Sequence, residues 1–241
     1  MTLLCLAGYG APLGAAESPT DARISEGFVA LKRGFSASAY EMFLQAANDN
    51  HPQAQYLVGR MLEGGEGVPR KMLEAVAWYR KAAEHGIAEA KARLGFLYWS
   101  GQGVPEDHKE AFKWFLDAAE KGDQPLAQTY LCTILDQGAK TIPADRQQAL
   151  GWCRRAAENG EPAAQAMMGF RYAEGDGVDK DLETAHFWFT MAASGGNHRA
   201  QDALRQLEPS MTQEQIARAR KRTGTELPKP PPDPLGVRGK K

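Results

Sequence analysis

The residues able to do chemistry in this chain are few, and they do not converge. Five histidines are scattered at 51, 85, 108, 186 and 198, and none stands at metal-ligand spacing from another. There is no Gly-x-Ser-x-Gly elbow, no His-Glu-x-x-His and no Ser-x-x-Lys, the arrangements that activate a serine or hold a catalytic zinc. Asp176, Asp179 and Asp181 share a glycine loop, but their spacing departs from a calcium loop and its terminal Glu is missing. Gly-x-Gly recurs at 65–67, 101–103 and 175–177. As a phosphate cradle it would need a strand before it and Lys-Ser/Thr after it. Neither is present, so these loops read as connectors. The sequence therefore predicts no cofactor, no metal and no catalytic residue.

Bulk properties narrow the class further. The chain has 241 residues, 29 basic and 30 acidic, for a net charge of −1. That balance gives no general signal for nucleic acid. No apolar run is long enough for a transmembrane helix. With 43% hydrophobic residues and five Trp it can build a core. Residues 2–16 carry no charge and end in Gly14-Ala15-Ala16, which predicts an export signal cleaved before Glu17, although the basic start of such a signal is missing. A periplasmic or secreted location follows from that reading, and a cytoplasmic one is its alternative. From Glu208 onward there are four acids and eight bases, the one charge asymmetry in the chain. Thirty-eight Ala and 25 Gly make up about a quarter of the sequence, and their placement is periodic.

Tryptophans stand at 78, 114, 152 and 188, at intervals of 36, 38 and 36. Each is followed by an Ala pair (Ala82-Ala83, Ala118-Ala119, Ala156-Ala157, Ala192-Ala193) and then by Gly86, Gly122, Gly160 or Gly195. Gly59, Gly95 and Gly169 lie upstream, with Cys132 in the same place of the third unit. A period of this length marks stacked supersecondary units. Each unit reads as a short first helix (90–100 in the second), a loop, and a second helix that starts at Asp107, Asp145 or Asp181. Glu110 and Gln148 sit at capping-box spacing from the first two of these Asp residues. The closing glycines suit left-handed C-caps. The Trp row, beside the Ala pairs, is expected to be repeat core.

The stretch 90–122, Ala-x-x-x-Leu-Gly-x-x-Tyr-x-x-Gly-x-Gly-Val followed by Ala-x-x-Trp-Phe-x-x-Ala-Ala-x-x-Gly, resembles the Sel-one-like repeat, a longer cousin of the tetratricopeptide repeat. The resemblance spans about residues 53–207. It implies an all-α, right-handed α-solenoid of about five antiparallel helix pairs. The expected organisation is an export segment at 1–16, a divergent helical repeat at 17–52, and repeats at 53–88, 89–125, 126–162 and 163–198. Capping helices follow at 199–222 and a disordered, Pro-rich basic tail at 223–241.

The resemblance also implies function. It points to a monomeric, non-enzymatic adaptor that binds a partner protein or peptide, with envelope signalling or assembly as its setting. Holding a membrane sensor inactive is one version of that role. Cysteine-rich relatives described as β-lactamases or penicillin binders supply the alternative, a weak β-lactam or peptidoglycan hydrolase. Against it stand the low cysteine count and the absent serine motif. In an α-solenoid the first helices line the concave side. The first-helix positions that the repeat pattern leaves free are Tyr56, Arg60, Glu63, Phe96, Trp99, Thr133, Asp136 and Phe170, a candidate groove with exposed aromatics. Cys132 and Cys153 are expected on facing positions of one helix pair, which predicts an intra-repeat disulfide in an oxidising compartment, with two small buried apolar residues as the alternative. Arg218, Arg220, Lys221 and Arg222 form a basic cluster, expected to be a solvated helix face.

Overall fold

The computed structural model describes residues 18–222; the predicted export segment and Pro-rich tail lie outside the described residues. Helices dominate, and the one bridge found is an isolated pairing of Ala139 with Ile142. The chain divides at Ala82–Ala83 into two compact units. The first holds α1 (Pro19–Lys32), α2 (Ser36–Asn48), α3 (Pro52–Gly64) and most of α4 (Met72–Glu84). The second holds α5 (Ala88–Ser100), α6 (His108–Lys121), α7 (Pro125–Gln137), α8 (Arg146–Glu158), α9 (Pro162–Glu174), α10 (Leu182–Ser194) and α11 (His198–Leu207). A 3-10 turn (Glu208–Ser210) and α12 (Gln213–Arg222) complete it. Successive helices pair: α1 with α2, α5 with α6, α7 with α8, and α9 with α10.

What draws a pair together is a ring set against a residue that lacks a side chain. A Cβ placed on Gly27, Gly59, Gly95 or Gly169 would lie 2.5, 2.8, 2.7 or 2.5 Å from the rings of Phe43, Tyr79, Phe115 and Phe189. All four rings are buried. Each ring follows the Trp position of its repeat, or its equivalent in the divergent one. The Ala pairs let the second helix approach its neighbours: Ala46, Ala82, Ala118, Ala156 and Ala192 are fully buried. The tryptophans themselves are less uniform than expected. Trp152 and Trp188 are buried, whereas Trp78 and Trp114 are half-buried. Trp78 carries the Lys81 ammonium 4.0 Å above its ring.

Helix starts follow the sequence closely. Asp107, Asp145 and Asp181 cap α6, α8 and α10 by accepting from the N–H groups of Glu110, Gln148 and Thr184 at 3.0, 3.0 and 3.1 Å. The reciprocal half of the capping box is absent at Glu110 and Gln148, for a clear reason. The N–H groups of the Asp residues already donate to the carbonyls of Tyr98, Leu135 and Tyr172 in the preceding helix, at 2.9, 2.7 and 2.9 Å. Glu110 pairs with Lys113 instead, and the Gln148 amide donates to the Asp145 carboxylate. A complete box does form at the start of α12. There Thr212 N–H donates to Gln215 Oε1 (2.9 Å) and Gln215 N–H to Thr212 Oγ1 (3.2 Å).

The closing glycines need a correction. Gly86 and Gly160 are left-handed, but Gly122 and Gly195 are not. Gly122 is required for space, since a Cβ there would meet the Ala88 Cβ at 2.1 Å. The left-handed turn passes to Asp123, with φ 47°. Its carboxylate accepts from Gln128 Nε2 (2.7 Å), Arg155 Nε (2.9 Å) and Asn159 Nδ2 (3.2 Å), which offsets the backbone strain. In the fourth repeat the left-handed residue is Gly196, eight after Trp188, the position Gly86 and Gly160 hold after Trp78 and Trp152.

The ring-against-glycine contact sets an expected outcome. Gly95→Ala should lower unfolding stability by about 1–3 kcal/mol, because its methyl must displace the buried Phe115 ring. Urea unfolding followed by far-UV circular dichroism measures this, and an unchanged midpoint would contradict the packing.

Candidate functional site

In the second unit the first helices lie side by side: α5 against α7, α7 against α9, and α9 against α11. Five of the eight sequence-selected residues lie on this row: Phe96 and Trp99 on α5, Thr133 and Asp136 on α7, and Phe170 on α9. All five are half-buried. The aromatics are thus not freely exposed, because each leans on a neighbour. The Phe96 ring lies 6.1 Å from that of Tyr130 on the next first helix, and the Arg93 guanidinium stands 4.6 Å above it. Trp99 stacks on His108 with centroids 4.2 Å apart, and Phe170 sits edge-on to Phe189 at 4.9 Å. Their other faces remain accessible.

The polar members are committed too. Asp136 pairs with Arg171 of the following repeat, and Arg171 also reaches Asp176 at 3.2 Å. Arg171 is nearly fully buried, so these two carboxylates hold a cation that would otherwise be costly to desolvate. Thr133 donates to the Thr129 carbonyl (3.0 Å), which is the local bond a helical threonine makes by default. The other three selected residues belong to α3 in the first unit. There Tyr56 packs 5.9 Å from Tyr79, Glu63 accepts from the Tyr79 hydroxyl (2.7 Å), and Arg60 is exposed.

Two features of the site went unread in the sequence. Tyr130 belongs to the aromatic row, stacked 4.6 Å on Phe115, and its burial raises the phenol pKa. Its column, with Arg93 and Met167, lies three residues before Phe96 and its equivalents, so helical spacing could have found it. The second is a buried polar column. Gln55 and Gln165 donate to the carbonyls of Ala47 (3.4 Å) and Ala157 (3.2 Å) at the end of the preceding helix. Lys91 takes that position in the second repeat and pairs with Asp117 at 2.6 Å. Lys121, with Lys91 beside it, holds the Asp117 carboxyl below the usual range.

Cys132 and Cys153 form a disulfide, with Cα atoms 4.9 Å apart and a sequence separation of 21. Both are fully buried, and Met167 Sδ lies 3.7 Å from Cys132 Sγ. They occupy the glycine and ring positions of their repeat, so a covalent bond stands where the other pairs have a ring packed on glycine.

The basic cluster on α12 is largely exposed, as expected of it, and its arginines are also paired. Arg218 makes a forked contact with Glu183 (2.6 and 3.1 Å), Arg222 reaches Thr184 (3.3 Å), and Arg220 meets Glu208 (2.8 Å). Glu208 also meets the buried His186 at 3.0 Å. These contacts latch α12 onto α10 and the 3-10 turn. The His186 hydrogen bond, followed by Arg220, holds the Glu208 carboxyl below its ordinary value. Among the described residues no group of three or more His, Cys, Asp or Glu could hold a metal ion, and no helix is long and apolar enough to cross a membrane.

The row of paired helices defines an all-α repeat solenoid, and comparison with known proteins gives it a family. The Sel1 repeat model matches residues 52–87, 88–123, 125–161 and 162–197. The chain belongs to the Sel1 repeat family, whose repeats are generally protein–protein interaction modules. A Sel1 repeat protein from Oxalobacter formigenes is 30% identical, covering 84% of this chain and 82% of that one, with a TM-score of 0.69. A protective antigen of uropathogenic Escherichia coli with this fold is 28% identical, with a TM-score of 0.73; the match covers 85% of this chain but 45% of the antigen. An immunity protein from Pseudomonas aeruginosa, 20% identical over 78% of this chain and 70% of that one, shares the fold (TM-score 0.53). No curated protein sequence matches the chain.

Two outcomes follow. Alkylation of the denatured, unreduced protein should leave Cys132 and Cys153 unmodified, and reduction should lower unfolding stability by about 2–4 kcal/mol. Mass spectrometry of the alkylated peptides, with paired unfolding curves, tests both parts. The second outcome concerns acid. Since the folded-state pKa of Glu208 is depressed, its contribution is complete above the ordinary carboxylate range and disappears as pH falls through the folded value. Protection factors of the α12 amides, taken relative to intrinsic exchange at each pH, should therefore fall on acidification, and Glu208→Gln should show the low protection, and so fast exchange, already at pH 7. Slow exchange in that variant at neutral pH would contradict the latch.

Proposed function

We propose that this protein is a non-enzymatic scaffold that holds a partner protein or peptide on the first-helix face of its second unit, in a periplasmic or secreted setting. Regulation or assembly of an envelope complex is the role that fits such a scaffold. The observation carrying the reading is the aromatic row Phe96, Trp99, Tyr130 and Phe170. It crosses three successive repeats, each ring half-buried against its neighbours. Half-buried aromatics already held by neighbours lose little freedom on binding, which is the condition for an interface hot spot. Thr133 and Asp136 lie between them as polar members; in the first unit Arg60 and Glu63 hold the same repeat positions, and Tyr56 that of Ala92. The disulfide supports the oxidising compartment.

The test is affinity capture from the native envelope with quantitative mass spectrometry, comparing the intact chain with Trp99→Ala and Phe170→Ala. A partner recovered by the intact chain should fall by an order of magnitude or more in each variant, matching the ~2 kcal/mol of a hot-spot residue. Unchanged circular dichroism would show the fold intact. Undiminished capture by both variants would remove the groove as the binding surface.

A further inference from the structure

We propose that the aromatic face of the second unit recognises proline-rich, basic segments, and that its resident occupant is this chain's own residues 223–241. The inference rests on the scaffold reading above and names the chemistry of what that surface takes.

Three observations converge. The face offers Phe96, Trp99, Tyr130 and Phe170, each half-buried, beside Asp136, which is engaged by Arg171. Aromatic-lined surfaces of this kind suit a polyproline helix, whose conformation is set before binding. Residues 223–241 hold Pro228, Pro230, Pro231, Pro232 and Pro234, along with Lys229, Arg238, Lys240 and Lys241.

The second observation is where the chain leaves the helices. Arg222, the last residue of α12, donates to Thr184 on α10 (3.3 Å). Thr184 lies in the first turn of α10, just past the end of α9, the helix whose Arg171 pairs with Asp136. The segment thus begins at the α10 end of the second unit, one helix from α9. First helices packed at about 10 Å put Trp99 two steps, roughly 20 Å, from α9. Nineteen residues at ~3.1 Å each span about 59 Å, more than enough to cross.

The third observation is charge. The four acids and eight bases from Glu208 onward make that part positive, while the rest of the chain is negative. Glu174 and Asp179, both exposed, and half-exposed Asp176 flank the route at the end of α9. α12 already uses this complementarity, in the Arg218–Glu183 and Arg220–Glu208 pairs. A bound tail would cover the face until a partner segment displaces it.

The experiment uses a fluorescent peptide of residues 223–241 added to two full-length chains. One is native; the other carries Ser in place of Pro228, Pro230, Pro231 and Pro232. An internal competitor acts at about millimolar effective concentration, so the native chain should bind the peptide at least ~10-fold more weakly than the Ser-substituted chain. Adding Thr133→Arg to the Ser-substituted chain should abolish binding by obstructing the face and repelling the basic peptide. Because Thr133 is half-buried and bonds locally, this variant should keep its circular dichroism spectrum; Trp99→Ala serves as the second variant. Equal binding to both chains, no binding to either, or binding that survives both face substitutions would overturn the proposal. So would concentration-dependent self-association that the Ser substitutions remove, since the tail would then occupy a second copy. Failure here, with Trp99-dependent partner capture intact, sinks the tail and leaves the scaffold reading standing.

Discussion

The structure depends on one steric bargain: an aromatic ring can be buried between two helices only if the facing helix presents no side chain. Phe43 on Gly27, Tyr79 on Gly59, Phe115 on Gly95 and Phe189 on Gly169 are four copies of it. The ring supplies the apolar area, and the glycine lets the backbones approach until the Ala pairs meet. The N–H group that opens the second helix then reaches a carbonyl of the first. Helix pairing, loop length and repeat period all follow from keeping ring and glycine opposite each other. Any residue that leaves this contact undisturbed is free to vary, and the first-helix face is where that freedom is used.

This explains which parts could be read from sequence. The ring, the small residue and the capping Asp recur because the same steric requirement recurs, so Asp107, Asp145 and Asp181 are legible as caps in the sequence. The Cys132 substitution was visible for the same reason, as a departure from a rule. What stayed hidden was set between repeats rather than within them. The Arg171–Asp136 pair joins residues 35 positions apart with no shared pattern. His186 and Glu208 meet through a 3-10 turn whose direction no local signal encodes. The aromatics of the candidate site were found, but their half-buried state was not. It comes from neighbours such as Tyr130 and His108 that periodicity alone does not single out. The left-handed turn moved from Gly122 to Asp123 because contact with Ala88 outweighed the usual preference of a helix end.

The same separation applies to function. Within a repeat, residues answer to packing; across repeats, they answer to whatever lies on the surface. Phe96, Thr133 and Phe170 hold one repeat position and differ in chemistry, as do Trp99, Asp136 and Ala173. A surface built this way is a row of independently variable columns on a constant frame. Specificity can then change without disturbing the ring-and-glycine contacts beneath it.

The covalent link in the third repeat has a consequence for how the second unit comes apart. A stacked repeat protein opens from its ends, since each repeat is held by its neighbours and terminal ones have a single neighbour. In most repeats the two helices can part once the ring leaves its glycine. In the third they stay tethered, with α7 and α8 joined at Cys132 and Cys153. Fraying that begins at α12 and travels inward through α11, α10 and α9 therefore meets a pair that cannot splay. The tether acts as a firebreak, and the repeat beside the aromatic row's midpoint is the last to lose its shape.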